Sequence, residues 1–88
     1  MKVIEWSEEK NQKLKQTRRV SFEEMAERIN SEAMIDRIDH PNQKKYPGQE
    51  MFVVKFNNYI YLIPFVEDAY KYFLKTIIPN RKATKKYL

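Results

Sequence analysis

Two β-forming runs, residues 51–56 and 59–66, meet across a single dipeptide, Asn57-Asn58. Asn tolerates the positive φ that both central positions of a type I′ turn require, and that turn matches the twist of the strands it joins. The spacing predicts a hairpin with Phe56 opposite Tyr59, Val54 opposite Tyr61 and Phe52 opposite Ile63, all on one side. The other side carries Met51, Val53, Lys55, Ile60 and Leu62. Both faces are apolar. Something must therefore cover each of them, whether helices, the C-terminal tail or a partner.

Helices to do so precede the hairpin. Ser21 followed three residues later by Glu24 is a capping box, which satisfies two backbone donors that a helix start leaves orphaned. Phe22, Met25, Ala26 and Ile29 then repeat at i, i+3, i+4 and i+7, one buried face, with Glu23, Glu24 and Glu27 mostly away from it. Upstream, residues 2–5 read as a short strand. Ser7 caps a helix to about Lys15, with Glu8 and Glu9 near its positive end. Leu14 is that helix's only large aliphatic, so it packs through Trp6 and Leu14.

Residues 33–38 form a further strand, and residues 40–49 a loop marked by Pro41, Pro47 and the only glycine, Gly48. A turn at 67–70 leads to a strand over 72–78, which Pro79 ends. Asn80 can cap a short terminal helix. Helices grouped before a meander predict an α+β domain: two N-terminal helices packed on one side of a mainly antiparallel sheet, with a short C-terminal helix or tail.

Eighty-eight residues suffice for one domain over positions 1–88. The chain has no cysteine, which excludes disulfides, thiolate zinc sites and a Cys nucleophile. One histidine, His40, does not make an all-protein transition-metal site, and one glycine cannot build a phosphate-cradling loop. No run approaches the roughly 18 apolar residues of a membrane helix, and Glu5 and Ser7 interrupt any signal-like start. The expectation is a cytoplasmic protein with no membrane partner and no cofactor.

Charge points toward a substrate. The net charge is +5, and residues 10–19 and 71–88 carry 11 of the 17 basic residues with no acid among them. Such segregation suits a polyanion on one side of the molecule; two solvated basic surfaces are the bland alternative. Metal-free RNA cleavage needs only a group to take the 2′-OH proton, a group to protonate the 5′-oxygen, and cations to stabilise the phosphate. The cluster at the last strand and terminal helix meets that need best. Arg81 would stabilise the scissile phosphate, Lys75, Lys82, Lys85 and Lys86 would grip RNA, and Tyr87 or His40 would transfer protons. Tyr59, Tyr61, Tyr72 and Tyr87 are candidate stacking faces for unpaired bases, against the simpler reading of strand tyrosines as half-buried core.

Three blocks, residues 4–11 (IEWSEEKN), 20–24 (VSFEE) and 81–84 (RKAT) followed by Tyr87, resemble in order the BrnT family of bacterial toxins. The resemblance implies a RelE-like fold and an endoribonuclease of a type II toxin–antitoxin module that inhibits translation and growth. It also implies a cognate antitoxin, able to bring the pair to DNA. The chain departs from the family in carrying Thr17-Arg18-Arg19 where a Lys-His-Gly-like stretch is usual. It also has Thr76 where relatives place an arginine, and strand alternation would put the neighbouring Lys75 on the opposite face. Arg81 alone carries over directly. Two other classes stay open: a non-catalytic nucleic-acid-binding domain, and a protein-interaction module docking through the two-sided sheet.

Overall fold

The computed structural model describes residues 2–88. The elements run β1 (Val3–Trp6), α1 (Glu8–Arg18), α2 (Phe22–Ile29), β2 (Met34–Asp39), β3 (Glu50–Phe56), β4 (Tyr59–Glu67), β5 (Lys71–Leu74), β6 (Ile78–Pro79) and α3 (Arg81–Tyr87). The fold is α+β, three helices with a mixed six-stranded sheet ordered β1-β5-β4-β3-β2, in which β6 also pairs with β4.

The hairpin forms in the expected register, with Phe56, Val54 and Phe52 opposite Tyr59, Tyr61 and Ile63. Asn57 and Asn58 turn the chain with φ of 52° and 59°. Ser7 caps α1, and Ser21 and Glu24 complete the capping box of α2. From α1 and α2, Leu14, Phe22, Met25 and Ile29 join Phe52, Val54, Phe56, Ile63, Phe65 and Leu74 of the sheet in one buried cluster. Trp6 stacks on Phe22, with ring centroids 5.8 Å apart.

One buried polar residue has a specific task. Asn11 is 0% exposed; its Oδ1 accepts the Phe22 N–H at 2.8 Å and its Nδ2 donates to Glu23 at 2.7 Å. The side chain thus ties α1 to the start of α2, satisfying a donor that the first turn of α2 leaves free.

The sheet is mixed: β1 runs parallel to β5, and the other pairings are antiparallel, in keeping with a mainly antiparallel sheet. Elsewhere the structure corrects the sequence reading. Helix α1 continues past Lys15 to Arg18 and ends on Arg19 in the left-handed region, φ 56°. The strand expected over 72–78 is broken. Its β5 portion pairs Phe65, Val66 and Glu67 of β4, and β6 pairs Tyr61 and Leu62. Between them lies Pro64, which has no N–H to donate and so interrupts the ladder. Lys75 N–H still donates to Pro64 O at 2.8 Å. Ile77 then turns into the α1/α2 core at 0% exposure, and its carbonyl accepts from Arg18 Nη1 at 2.5 Å. Pro79, expected beyond the strand, lies within β6 opposite Tyr61.

Candidate nucleic-acid interface

The sheet face opposite α1 and α2 carries the predicted site. Its strand residues Met51, Val53 and Ile60 are buried, and α3 lies against β4 without burying any residue of its own. Backbone bonding at one residue anchors the helix. Ile60 N–H donates to Thr84 Oγ1 at 2.9 Å, and Ile60 O accepts the Asn80 N–H at 3.0 Å. Asn80 Oδ1 in turn accepts the Ala83 N–H at 2.7 Å, which caps α3.

Residues four apart lie on the same side of a helix, so α3 divides its cations into two rows. Lys82 and Lys86, with Ala83 and Tyr87, line an open groove of about 450 Å³ whose other walls are Ile38, Pro41, Leu62 and Asn80. The floor is apolar and the rim cationic. Arg81 and Lys85 are exposed and line neither this groove nor its neighbour.

Tyr87 donates its hydroxyl to Asp36 Oδ2 at 3.0 Å, and Lys86 Nζ lies 5.2 Å from the centre of its ring. The hydrogen bond to Asp36 raises the Tyr87 pKa above the usual phenol value, so the group stays protonated at neutral pH. Asp36 Oδ1 is held by the backbone N–H of Arg37 at 2.8 Å. A fixed carboxylate therefore orients a protonated phenol beside two cations.

A second hollow, about 130 Å³, is lined by His40, Tyr46, Gln49, Pro64, Lys75, Thr76 and Ile78. His40 and Lys75 meet here, away from Tyr87. Lys75 and Thr76 share this wall although adjacent in sequence, because the break between β5 and β6 removes the strand alternation that would have separated them. His40 packs on Tyr46 with ring centroids 4.4 Å apart, and its Nδ1 accepts the Asn42 N–H at 3.1 Å.

Of the tyrosines proposed for stacking, only Tyr87 reaches either hollow. Tyr61 and Tyr72 pack against the α1/α2 core, and Tyr59 packs on Tyr61 at 5.8 Å. The hairpin register puts Tyr59 and Tyr61 on the Val54 face. Sequence reasoning passed over two residues: Tyr46, which lines the smaller hollow, and Asp36, which lines neither hollow but holds the Tyr87 hydroxyl. Asp36 was hidden because the pairing of β2 is irregular between Met34 and Asp36. Tyr46 lies in a loop, where periodicity gives no orientation.

Among the described residues, no group of three His, Cys, Asp or Glu side chains could hold a metal ion, and no helix is long and apolar enough to cross a membrane. No described protein family, curated protein or solved structure matches this chain.

Proposed function

We propose that this protein is a metal-independent endoribonuclease, the toxin of a toxin–antitoxin pair, that binds and cuts RNA in the α3 groove. The observation carrying the reading is the groove that brings Lys82, Lys86 and Tyr87 together over apolar side chains, with the Tyr87 hydroxyl held by Asp36. Lys82 and Lys86 offset charge on the scissile phosphate. Water takes the 2′-OH proton as that oxygen bonds to phosphorus, while Asp36 holds the Tyr87 hydroxyl in place. Tyr87 gives its proton to the departing 5′-oxygen as the phosphorus–oxygen bond breaks, and a 2′,3′-cyclic phosphate remains. Arg81 and Lys85, on the outer row of α3, grip flanking phosphates.

The three sequence blocks that resemble BrnT toxins support the same reading and bring with them a RelE-like arrangement, with α1 and α2 as the helical layer, and a cytoplasmic setting. They also bring a cognate antitoxin. Val3 (59% exposed) on the edge strand β1, Val66 (39%) on β4 and Tyr70 (82%) between β4 and β5 supply apolar surface for such a partner.

The test is cleavage of a long single-stranded RNA in the presence of chelator. Wild type should cut, and Tyr87→Phe should lose about 10²–10⁴ in rate with its fold intact. Arg81→Ala should weaken binding and flatten its salt dependence while leaving the chemistry. Full loss of cutting in Arg81→Ala alone would move the site to the outer row. A second reading, RNA binding without cleavage, is favoured by the Tyr87–Asp36 hydrogen bond, which occupies the proton that cleavage would need. Folded wild type that binds RNA and never cuts it, on or off the ribosome, would establish that reading.

A further inference from the structure

The two hollows are neighbours built from the same three chain segments. His40 lines the smaller and Pro41 the larger; Pro64 lines the smaller and Leu62 the larger; Ile78 lines the smaller and Asn80 the larger. Along β4 the step from Leu62 to Pro64 is two residues, about 6.5–7 Å of strand. That is close to one nucleotide of extended single strand.

Their chemistry differs in a complementary way. The larger groove has two lysines and a phenol at its rim. The smaller has the paired rings of His40 and Tyr46, apolar walls from Pro64 and Ile78, and one cation, Lys75. Its aromatic pair rests on a braced loop. Gln43 Nε2 donates to His40 O at 2.7 Å and Gln49 O at 3.1 Å, while Gln43 Oε1 accepts the Gly48 N–H at 3.1 Å. Asn42 Oδ1 accepts the Lys45 N–H at 3.1 Å, and Tyr46 N–H donates to Asn42 O at 2.9 Å. Gly48 closes the loop at φ 73°, a conformation that favours glycine. Ten residues fold on themselves to present two rings beside the groove.

We infer that the His40–Tyr46 hollow is a base-binding subsite, receiving one unpaired nucleobase of the RNA whose adjoining phosphate lies in the α3 groove; this rests on the RNA reading above. The base stacks on the Tyr46–His40 pair, and Lys75 meets the next phosphate outward. Gln49 and Thr76 add an amide and a hydroxyl able to hydrogen-bond a base edge. Stacking tolerates any base, since each has a π-face, so preference among bases comes from those polar groups.

Binding is measured by fluorescence anisotropy with a short 2′-O-methyl oligoribonucleotide, which cannot be cut, so affinity is read apart from catalysis. Tyr46→Ala should weaken binding by roughly tenfold, the size of one base–aromatic stack. Tyr46→Phe should bind as wild type, because the ring is kept. Its salt slope should be unchanged in both variants, whereas Lys86→Ala should lower the slope by about one phosphate contact. An abasic nucleotide at the occupied position should cost wild type the same factor and Tyr46→Ala almost nothing further. His40→Ala supplies a second variant, read the same way, if Tyr46→Ala does not fold.

Wild-type affinity in folded Tyr46→Ala, or in folded His40→Ala used in its place, overturns the base subsite and leaves the RNA reading standing. An equal loss in Tyr46→Phe also overturns it, because the ring would then not be the contact. No binding by wild type overturns both.

Discussion

The two faces of the sheet are built from the same strands and solve opposite problems. Beneath α1 and α2 the surface is dry: Phe22, Met25, Val54, Ile63 and Leu74 are all at or below 1% exposure. Phe52 and Phe65 lie stacked at 3.9 Å, with Tyr72 edge-on to both. Beneath α3 the strands are as apolar, yet the cover is a seven-residue helix with no buried residue, and two hollows rimmed by cations remain open. The α1/α2 face is covered across its centre and holds the fold together, whereas the α3 face is dry only around Met51, Val53 and Ile60. The α3 face keeps apolar surface and charge within reach of a ligand, which well-packed cores do not do.

The sharpest test of that contrast is truncation on each side. Phe22→Ala should destabilise by about 3–5 kcal/mol, a large share of the stability of a chain this small, measured as a shift in the urea midpoint. Leu62→Ala, on the groove floor and only half-buried, should cost about 1–2 kcal/mol. Equal losses would break the comparison and make the α3 side a second core.

Asn11→Ala sharpens it next. The substitution leaves the Phe22 N–H without its acceptor inside the covered side, at a cost of about 1–3 kcal/mol. RNA affinity at low temperature should not change. A neutral result would mean that water replaces the side chain.

The smallest effect lies where the α1/α2 side meets solvent. Arg37 pairs with Glu50 Oε2 at 2.6 Å and Glu67 Oε1 at 2.6 Å, and its guanidinium lies 5.0 Å from the Phe65 ring centre. The Arg37 hydrogen bond holds Glu50 below the usual carboxylate range; Lys2, then Arg37, do the same for Glu67. Carboxylates lowered on folding stabilise fully above their unfolded pKa near 4.5, and that contribution fades as pH falls through the lower folded values. Arg37→Met should therefore lower Tm at pH 7 by less than any of the preceding substitutions, because solvent screens the pairs. The deficit should shrink below pH 4, while Glu8, Glu23 and Asp68, also lowered, keep the rest of the acid sensitivity. A deficit constant with pH would assign the loss to Arg37's packing on the rings.

What was legible in the chain follows from what is local. Asn57-Asn58 dictates the turn and hence the register of β3 and β4, and Ser21 with Glu24 dictates where α2 begins, because each depends on backbone chemistry within four residues. The double-sided apolar hairpin also announced that two covers were needed. Where β5 and β6 divide was not legible from residues 72–78, because the cause is Pro64 in a different strand.

The candidate site divides on the same line. That residues 71–88 form a basic surface was written in composition, and Tyr87, Lys82 and Lys86 fall in its groove. Separating Arg81 from them needed the helix to be seated on Ile60, which fixes its rotation about its axis. Joining Asp36 to Tyr87 across 51 residues, and His40 to Lys75 across the gap at Pro64, needed the sheet. The local turns, the caps and the charge of the ends follow from residues close together in the chain. Which charges share a cavity depends instead on strand pairing between distant segments and on helix orientation, and so emerges only in the folded molecule.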